Sequence, residues 1–374
     1  MTTHHDLPTP ADYGHLTGDH AAAVTVYLAT SPVPVERDRA QVALKSAFDR
    51  ALRELEDHGV PRPVRMALVG KRDDVLADGE LWGALSRSLA VFVTPDLVEV
   101  FVLPNKLEDE LVVGTHFALS QLWRPMTQLQ EAFAITLSAN EWRLWHATPT
   151  ERVRELDPVG DYPQSAAEAT NRESAGRGDD RLSGDPYDLY AKRVADAARK
   201  ELAAIDPTEK LPLFVFADEA LGARFASRKE GRELISVRGS SDRLTPAQID
   251  EAIRDQLAEL NVAEAQSSVS ELKDGDPSVV ERDLAAIARM AVKGAIDTYW
   301  FDFTVDMPGT LNSETGELAY EDGESMYALG VRDLLSQVAQ LVYEHGGRVI
   351  AVRGSDLTDP WVGPALAKLR FTLI

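Results

Sequence analysis

The sequence predicts an α/β protein of three compact domains, and three observations lead to this expectation. At 374 residues the chain is too long for one ordinary hydrophobic core. Stretches with the two-residue periodicity of strands alternate with stretches that have the three- to four-residue periodicity of helices. Near the carboxyl end, a helical stretch ends at Gly346-Gly347 and an apolar strand, 348–352, follows at once, as in a strand–helix–strand unit.

The first predicted domain covers residues 1–127. Its apolar pattern changes from strand to helix and back, which indicates a mixed sheet with one long helix. The predicted elements are a strand at 24–28, a helix at 36–58, a second strand at 64–69, and a hairpin formed by 89–94 and 97–103.

The second predicted domain covers residues 128–262. Three strands are expected first, and helices then alternate with further strands. Asp185-Pro186 predicts a helix start, as do Thr245-Pro246 and Gln248, which form a capping box. The predicted strands are 133–137, 142–146, 153–156, 213–217 and 233–237.

The third predicted domain covers residues 263–374 and follows a polar linker at 261–277. A helix is expected to carry Val280, Leu284, Ile287 and Met290, and a strand follows at 296–301. Residues 302–324 carry seven acidic side chains and neither Lys nor Arg, which indicates a solvated loop or hairpin. The remaining elements are a helix from Tyr327, the strand 348–352 and a last segment at 365–371.

Composition excludes several classes of function. The chain has no Cys, so a disulfide framework, a thiolate metal site and a Cys nucleophile are all excluded. The first residues lack the basic start and apolar core of a signal peptide, and no apolar run is long enough to span a bilayer. We therefore expect a cytoplasmic protein with no membrane partner. The net charge of −22 repels nucleic acid from most of the surface, so an RNA contact needs a local basic cluster.

The candidate basic cluster is a polar loop in the second domain. Two glycines allow close approach of the backbone, and arginines offer forked donors to phosphate. Acidic residues in the same stretch nearly cancel this charge, so a merely flexible loop is the alternative. The candidate binding residues are Arg172, Gly176, Arg177, Gly178 and Arg181.

No catalytic residue can be assigned from motifs. The sequence has no phosphate-binding loop, no zinc-ligating histidine pair with Glu and no nucleophile elbow. A two-metal nuclease needs convergent carboxylates, whereas the strand 133–137 has none. Asp218 and Glu219 follow a predicted strand, where we interpret them as residues of a helix start. We expect no metal and no cofactor.

A second candidate surface lies near the carboxyl end. Trp361 is in a loop rich in Pro and Gly, with several cations close in sequence. An exposed aromatic beside cations is typical of a partner anchor, although a small satellite core would use Trp361 equally well. The candidate partner-binding residues are Arg353, Trp361, Lys368 and Arg370.

The order of these elements resembles the archaeo-eukaryotic peptide-chain release factor and Pelota superfamily, and more narrowly its bacterial homologues. The resemblance is spread along the chain, and each of its segments alone is a weak pattern. The segments are 24–30 as the opening strand, 81–96 as a characteristic hairpin, 133–145 as the entry of the middle domain, and 345–349 with 369–371 as the closing part. The resemblance implies an RNase H-like middle domain and, at the end, a small α-β-α sandwich.

One departure from that family bears on activity. Release factors carry a Gly-Gly-Gln motif on a loop of the middle domain, whereas the corresponding stretch here is 172–180 and lacks it. The only Gly-Gly, at Gly346, lies in the third domain and precedes Arg348. The stop-codon-reading motif of the first domain is absent as well. The resemblance therefore implies binding without peptidyl-tRNA hydrolysis.

Three hypotheses follow for function. The first is a non-enzymatic, translation-associated factor that acts at or near the ribosome in rescue, hibernation or quality control. By resemblance, its partners are the ribosome, with rRNA or tRNA, and a translational GTPase such as elongation factor Tu. The second is an RNA-directed nuclease or another hydrolase that uses a cleft of the middle domain. The third is a stress-associated scaffold that binds protein alone.

Overall fold

The computed structural model divides into two compact units. Unit 1 comprises Met1–Leu129 and Ala258–Ile374, and unit 2 comprises Gln130–Leu257. The structure describes residues 1–33, 36–160, 162–169, 185–228, 231–238, 244–321, 330–358 and 361–371. None of the helices within these ranges is long and apolar enough to span a membrane. The three-domain division at 127/128 and 262/263 stays a prediction.

The amino-terminal part of unit 1 contains a five-stranded sheet. Its strands are β1 (Thr2–His4), β2 (Ala23–Ala29), β3 (Ser88–Val93), β4 (Val98–Leu103) and β5 (Glu110–Gly114). They lie in the order β1-β4-β3-β2-β5, and all neighbours are antiparallel except β1 and β4. The helices described here are α1 (Pro10–Leu16), α2 (Arg37–Asp57), α3 (Arg62–Ala77), α4 (Gly79–Gly83) and α5 (Trp123–Thr127). The first predicted strand, the long helix and the hairpin are confirmed.

The strand predicted at 64–69 is wrong, because these residues lie inside α3. The buried residues of α3 are Leu68 and Val75, which are seven positions apart and therefore on the same side of a helix. Pro63 lies in the first turn, where the missing N–H does no harm. A short apolar run does not by itself distinguish a buried strand from a helix, and here packing on the sheet decides in favour of the helix.

Unit 2 contains a second five-stranded sheet. Its strands are β6 (Ala132–Leu137), β7 (Trp142–Ala147), β8 (Arg154–Leu156), β9 (Leu213–Ala217) and β10 (Leu234–Arg238). The first three form an antiparallel meander, and β9 lies parallel to β6 with β10 parallel to β9. The order across the sheet is therefore β8-β7-β6-β9-β10. All five predicted strands of this segment are confirmed.

The helices that begin in unit 2 start where the capping residues predicted. Helix α6 (Pro186–Ile205) has Asp185 at its N-cap, where the carboxylate accepts a hydrogen bond from the Tyr187 N–H. Helix α7 (Glu219–Ala226) follows β9, and helix α8 (Pro246–Asp274) opens with the predicted capping box. In that box Gln248 Oε1 accepts a hydrogen bond from the Thr245 N–H, at 2.9 Å.

The polar linker predicted at 261–277 is wrong, because α8 continues through this segment as far as Asp274. Ala265 and Val269 are buried four residues apart, so one side of the helix packs on a core even though most of its residues are polar. The high share of Ser, Asp and Glu suggested a linker, but an amphipathic surface helix can carry the same composition.

The carboxyl-terminal part of unit 1 contains two small sheets. Their strands are β11 (Val280–Glu281), β12 (Ile296–Asp302), β13 (Pro308–Leu311), β14 (Leu318–Tyr320), β15 (Arg332–Asp333), β16 (Arg348–Val352) and β17 (Ala365–Leu369). One sheet has the order β11-β17-β12-β16, and the other has the order β14-β13-β15. Helices α9 (Leu284–Val292) and α10 (Leu334–Glu344) are described in this part. Because β12 and β16 are parallel and α10 lies between them in sequence, the predicted strand–helix–strand unit is confirmed.

Two predicted helix starts in this part need correction. Val280 lies in β11, and α9 starts only at Leu284, after the N-cap Asp283. Tyr327 lies outside the described residues, whereas α10 starts at Leu334, directly after β15. In both cases an Asp that accepts hydrogen bonds from the first turn fixes the start.

Unit 1 has a shared hydrophobic core. One cluster combines aromatic residues of the amino-terminal sheet, such as Phe92 and Phe101, with Tyr299, Phe301 and Leu334 from the carboxyl-terminal part. All of these side chains are buried. The two ends of the chain are therefore packed as one body in unit 1, and they enclose the cavity described next.

Candidate functional site

Unit 1 contains a polar cavity of about 330 Å³. It is lined by the segment 108–121, by residues 303–306 after β12, and by residues of β15 and α10. The charged and titratable groups on its lining are Glu108, Asp109, Glu110, His116, Asp306, Arg332 and Asp333, together with Tyr13. The amino-terminal and the carboxyl-terminal parts of unit 1 both supply carboxylates to this cavity.

Asp333 is the N-cap of α10 and anchors one side of the cavity. Its carboxylate accepts hydrogen bonds from the N–H groups of Leu335, Ser336 and Met307 and from the Ser120 hydroxyl, at 2.9 to 3.2 Å. Burial nevertheless raises the pKa of Asp333, although these donors oppose the shift. With its oxygens engaged by four donors, Asp333 offers the cavity no free ligand atom.

Gln121 fixes the acidic segment on the opposite side. Its amide oxygen accepts a hydrogen bond from the Glu108 N–H at 2.8 Å, and its amide nitrogen donates to Glu110 Oε2 at 2.6 Å. Gln121 is 2% exposed, so this contact is protected from water. The position of the Glu110 carboxylate in the cavity is therefore determined by a neutral donor rather than by a cation.

Glu110 and Asp306 carry carboxylates that the described residues do not pair with a cation. Burial raises the pKa of Glu110, and the charges of Asp333 and Glu108 add to the shift. Partial desolvation raises the pKa of Asp306 to about 6, again with the help of Asp333 and Glu110. Like charges are thus held close together, which favours the protonated form of each.

His116 is a further buried titratable group on the lining of the cavity. It is 3% exposed, and its Nδ1 has no hydrogen-bond partner within the described ranges. Burial, with a smaller effect from the charge of Arg332, lowers the pKa of His116 to about 4. The imidazole is therefore neutral at physiological pH and offers one donor and one acceptor.

Replacing Asp306 with Asn should stabilise the protein at neutral pH. The pKa of Asp306 in the folded protein is raised from the ordinary carboxyl value of 3.8 to about 6. The protein therefore loses stability as the pH rises through this range, because the folded state disfavours the charged carboxylate. The variant should therefore have a higher melting temperature than wild type at pH 7.5 and an equal one at pH 3.5. Because Asp306 is exposed to solvent, we expect a gain below about 1 kcal/mol. Thermal unfolding at both pH values checks this, and a lower melting temperature at pH 7.5 would contradict it.

The binding loop predicted in the second domain lies outside the residues that the structure describes. Arg172, Gly176, Arg177, Gly178 and Arg181 all lie outside the described residues, so their role as a phosphate contact stays a prediction.

The four residues predicted as a partner surface have separate surroundings. Arg353 forms an ion pair with Glu108. Lys368 is exposed on β17, with its Nζ 3.9 Å from Asp297. Trp361 is partly buried and packs against a small cluster of apolar residues. All four residues nevertheless lie in unit 1.

Arg370 has a structural contact with the end of α10. Its guanidinium donates to the carbonyl oxygens of Gly294 and Gly346, at 3.0 and 2.6 Å. A cation at this place also interacts favourably with the helix dipole. Binding of a partner by Arg370, as by the other three residues, stays a prediction.

The acidic pair after β9 has the helix-start role that the sequence indicated. Asp218 is the N-cap of α7 and accepts a hydrogen bond from the Leu221 N–H at 2.9 Å. Over the described ranges, no group of three or more His, Asp or Glu residues is arranged to hold a metal ion.

Sequence reasoning missed the cavity in unit 1. The acidic run 108–110 and the Asp before Leu334 were both visible in the sequence, but more than 200 positions separate them. Their proximity depends on the packing of the two chain ends in one core. The signal that was available is the sequence Asp333-Leu334-Leu335, a cap followed by apolar residues, which would have placed the start of α10.

Comparison with known proteins gives structural neighbours at low identity. Neither a protein-family model nor a curated protein matches the sequence. A chain in a model of ribosome-bound archaeal Pelota and ABCE1 is 10% identical, with 78% of this chain and 74% of that chain covered and a TM-score of 0.39. S. cerevisiae Dom34, described as a translation termination-like factor involved in RNA quality control pathways and interacting with Hbs1, is 10% identical, with 65% and 63% covered and a TM-score of 0.34. The archaeal translation termination factor aRF1 is 14% identical, with 96% of each chain covered and a TM-score of 0.22.

Proposed function

We propose that this chain is a translation-associated binding factor that acts at or near the ribosome, in rescue, hibernation or quality control, without hydrolysing peptidyl-tRNA. The observation that carries the proposal is the strand order of the sheet in unit 2. Three antiparallel strands come first, and two further strands then extend the sheet parallel to the first of them. This arrangement is the one expected of an RNase H-like middle domain.

The segments on either side of that sheet support the same proposal. A mixed sheet with long helices precedes it, and a strand–helix–strand layer with a Gly-Gly turn follows it. This succession agrees with the order of elements that suggested a release-factor-like organisation. The chain has no Gly-Gly-Gln sequence at any position, so the residues that would orient a hydrolytic water in a release factor are missing. The proposed role is therefore binding rather than catalysis.

The proposed contact with RNA is the loop that contains Arg172, Arg177 and Arg181. The overall charge of −22 opposes binding to polyanions, so a productive contact has to be local. Arginine suits this role because its planar guanidinium can donate two hydrogen bonds to one phosphate. Flanking glycines at Gly176 and Gly178 let the backbone approach closely.

The proposed protein partner is a translational GTPase, with elongation factor Tu as one example, bound through the carboxyl-terminal part of the chain. Trp361 is partly exposed, and the adjacent Val362 is 66% exposed. Aromatic residues at such places are frequent anchors of interfaces. Arg353 and Lys368 lie on the same part of the chain and would supply charge at the rim of the contact.

Pelleting of purified ribosomes with the protein tests this proposal. The triple variant Arg172→Ala, Arg177→Ala and Arg181→Ala should bind at least about tenfold more weakly than wild type. The slope of the logarithm of its binding constant against the logarithm of the salt concentration should become smaller in magnitude by roughly two. We expect the triple variant to fold like wild type, because the stretch 170–181 carries no large apolar side chain.

A matched control has the same change of charge at another place. Lys45, Arg50 and Arg62 are exposed on α2 and α3, and their replacement with Ala should leave binding within about twofold of wild type. Equal losses of ribosome affinity in both triple variants would show that binding depends only on net charge. That result would contradict the proposed contact at the loop. Partners that persist after RNase treatment, without any ribosome in the pellet, would favour the protein-only scaffold.

A further inference from the structure

The solvent-facing side of α6 carries a row of cations. Lys192, Arg193 and Lys200 are exposed, and Arg199 is partly exposed. At about 3.6 residues per turn the four positions lie within about 120° of the helix circumference, opposite the residues that α6 buries in the core of unit 2. Lys192 and Lys200 are about 12 Å apart along the helix axis, so the row covers more than two turns.

One acidic residue lies within this row. Asp196 is 3.5 Å from Arg199, so these two charges offset each other. Within the described ranges no carboxylate forms an ion pair with Lys192, Arg193 or Lys200, and the Lys200 ammonium group donates to a backbone oxygen at 3.4 Å. Four cations and one acid leave the row with a net charge of +3.

The other acids of α6 lie away from the row. Asp188 is in the first turn, where its carboxylate is 3.1 Å from Arg224 of α7. Glu201 is at least about 80° around the helix from each of the four cations. In the described part of the chain neither acid forms an ion pair with the row.

Arg228 extends this charged surface beyond α6. The Arg199 guanidinium donates to the Arg228 backbone oxygen at 3.4 Å, which places the end of α7 beside the row. The Arg228 side chain is exposed, and no carboxylate among the described residues forms an ion pair with it. Glu209 lines the same groove as these two arginines, but its carboxylate packs over Gly231. The five cations form what we call the α6 basic face: Lys192, Arg193, Arg199, Lys200 and Arg228.

The α6 basic face contrasts with the acidic character of the chain. It has five cations against two neighbouring acids, Asp196 and Glu209, whereas the whole chain has 39 Lys and Arg against 61 Asp and Glu. On α2 five cations are mixed with five acids, and on α8 two cations stand among seven acids. Because net negative charge repels polyanions, this face is a place where a polyanion can approach the protein.

The side chains of this face favour a nucleic-acid backbone over a protein partner. From 188 to 204, a stretch that the structure describes without a gap, α6 exposes no large apolar side chain. Protein interfaces usually centre on aromatic or other large anchors, which this stretch does not offer. Phosphate contacts need only accessible Lys and Arg, because the charge of the backbone supplies most of the affinity.

We propose that the α6 basic face binds the phosphate backbone of an RNA strand that runs along the axis of α6. The choice of RNA over another polyanion rests on the proposed function. A strand presents a phosphate every few ångströms, so a row of about 12 Å meets roughly three phosphates. The arginines can donate two hydrogen bonds to one phosphate, and the lysines act as point charges. Contacts to phosphate carry no base information, so this binding is independent of RNA sequence.

Fluorescence anisotropy with a labelled single-stranded RNA of about 20 nucleotides tests this inference. The wild-type protein should bind with a dissociation constant below about 100 µM at about 50 mM salt. The triple variant Lys192→Ala, Arg193→Ala and Lys200→Ala should bind at least about tenfold more weakly. The slope of the logarithm of its binding constant against the logarithm of the salt concentration should become smaller in magnitude by about two, since roughly three phosphate contacts are lost.

Two further variants separate charge from other effects. Exchange of the same residues for the alternative cation, as Lys192→Arg, Arg193→Lys and Lys200→Arg, should keep the affinity within about twofold of wild type. Asp196→Asn removes the acid within the row and should strengthen binding at least about twofold. Ala is the most favourable residue in a helix, so circular dichroism should show wild-type helix content for the Ala variant.

The matched control for the Ala variant is Lys45→Ala, Arg50→Ala and Arg62→Ala, which removes three exposed cations from α2 and α3. It should bind the RNA within about twofold of wild type. Wild-type protein without saturable RNA binding would overturn the inference, as would equal affinities of the two Ala variants. Unchanged or weaker binding by Asp196→Asn would overturn it as well. So would a polyglutamate peptide of equal length that binds as tightly as the RNA, because the face would then fit an acidic protein.

Pelleting with ribosomes distinguishes failure of this inference from failure of the proposed function. Wild-type protein that binds the RNA strand through α6 but does not pellet with ribosomes would contradict the proposed function alone. Wild-type protein that pellets with ribosomes, while its α6 Ala variant binds the RNA strand as tightly as wild type, would contradict this inference alone.

Discussion

Replacing Arg232 with Ala should destabilise the protein by about 3–5 kcal/mol, because it leaves a buried carboxylate without its counter-charge. Arg232 and Asp206 are 7% and 8% exposed, and their side chains meet at 2.7 Å. The guanidinium also donates to the backbone oxygens of Leu211 and Asp206, at 2.6 and 3.1 Å. One side chain thus connects the end of α6 to the segments before β9 and β10.

Urea unfolding with a fluorescence readout measures this loss. A matched control is Arg224→Ala, since Arg224 also bonds an Asp, Asp185, at 2.7 Å but has a side chain that is 34% exposed. Exposed pairs contribute about 0–1 kcal/mol, so the control should lie close to wild type. Similar losses in the free energy of unfolding for both variants would show that the effect of Arg232→Ala does not come from burial of its ion pair.

The same ion pair predicts a pH dependence of stability. Burial alone would raise the pKa of Asp206, but hydrogen bonds from Leu211, Arg232 and Thr208, with the charge of Arg232, hold it below its ordinary value of 3.8. A depressed folded-state pKa contributes stability that is present above pH 3.8 and is lost as the pH falls further. In Arg232→Ala the free energy of unfolding should therefore fall less steeply as the pH is lowered. Unfolding curves measured between pH 5 and pH 2.5 would reveal this difference.

Replacing Gly347 with Val should damage the fold of unit 1, with a loss of about 3 kcal/mol or more. An added Cβ would lie 2.5 Å from Val342 Cγ1, 3.0 Å from the Ile296 oxygen and 3.1 Å from the Val342 oxygen. Two of these atoms belong to the backbone of β12 and α10, so they cannot rotate away. The strand–helix–strand layer would have to open in order to accept the side chain.

The left-handed backbone at the end of this helix is that of Gly346, with φ of +75°. Gly347 is required by close packing instead.

Gly70→Val in α3 is the matched control for Gly347→Val, because no atom lies within 4 Å of an added Cβ there. Circular dichroism and thermal unfolding should show a native-like Gly70→Val and a much less stable Gly347→Val. A Gly347→Val protein whose free energy of unfolding lies within about 1 kcal/mol of the wild-type value would contradict the packing argument.

Elements with strong local signals could be predicted from the sequence. The apolar pattern predicted all five strands of the sheet in unit 2 and strands β2, β3 and β4 of the amino-terminal sheet, but not β1 or β5. Asp185 and Thr245 marked helix starts through hydrogen bonds made within a few residues. These signals are local, so no knowledge of tertiary packing was needed to interpret them.

Errors arose where packing overrides the local pattern. Val64 to Val69 is apolar enough for a strand, yet the segment is helical because Leu68 and Val75 pack together on the core. The end of α8 resembles a linker in composition, but Ala265 and Val269 bury one side of it.

The candidate cavity could not be predicted for a related reason. Glu110 and Asp306 lie almost 200 positions apart, and only the shared core of unit 1 brings them to one cavity. Neither residue stands in a sequence motif. The neutral state of His116 likewise depends on burial, which the sequence around it does not reveal.

Sedimentation of a cell lysate through a sucrose gradient tests the central claim most directly. If the chain is a translation-associated factor, an antibody against it should detect the protein in ribosomal fractions, in growing or in starved cells, and RNase digestion of the ribosomes should move it to the top of the gradient. Protein found only in the free fractions, in growing and in starved cells alike, would contradict the account.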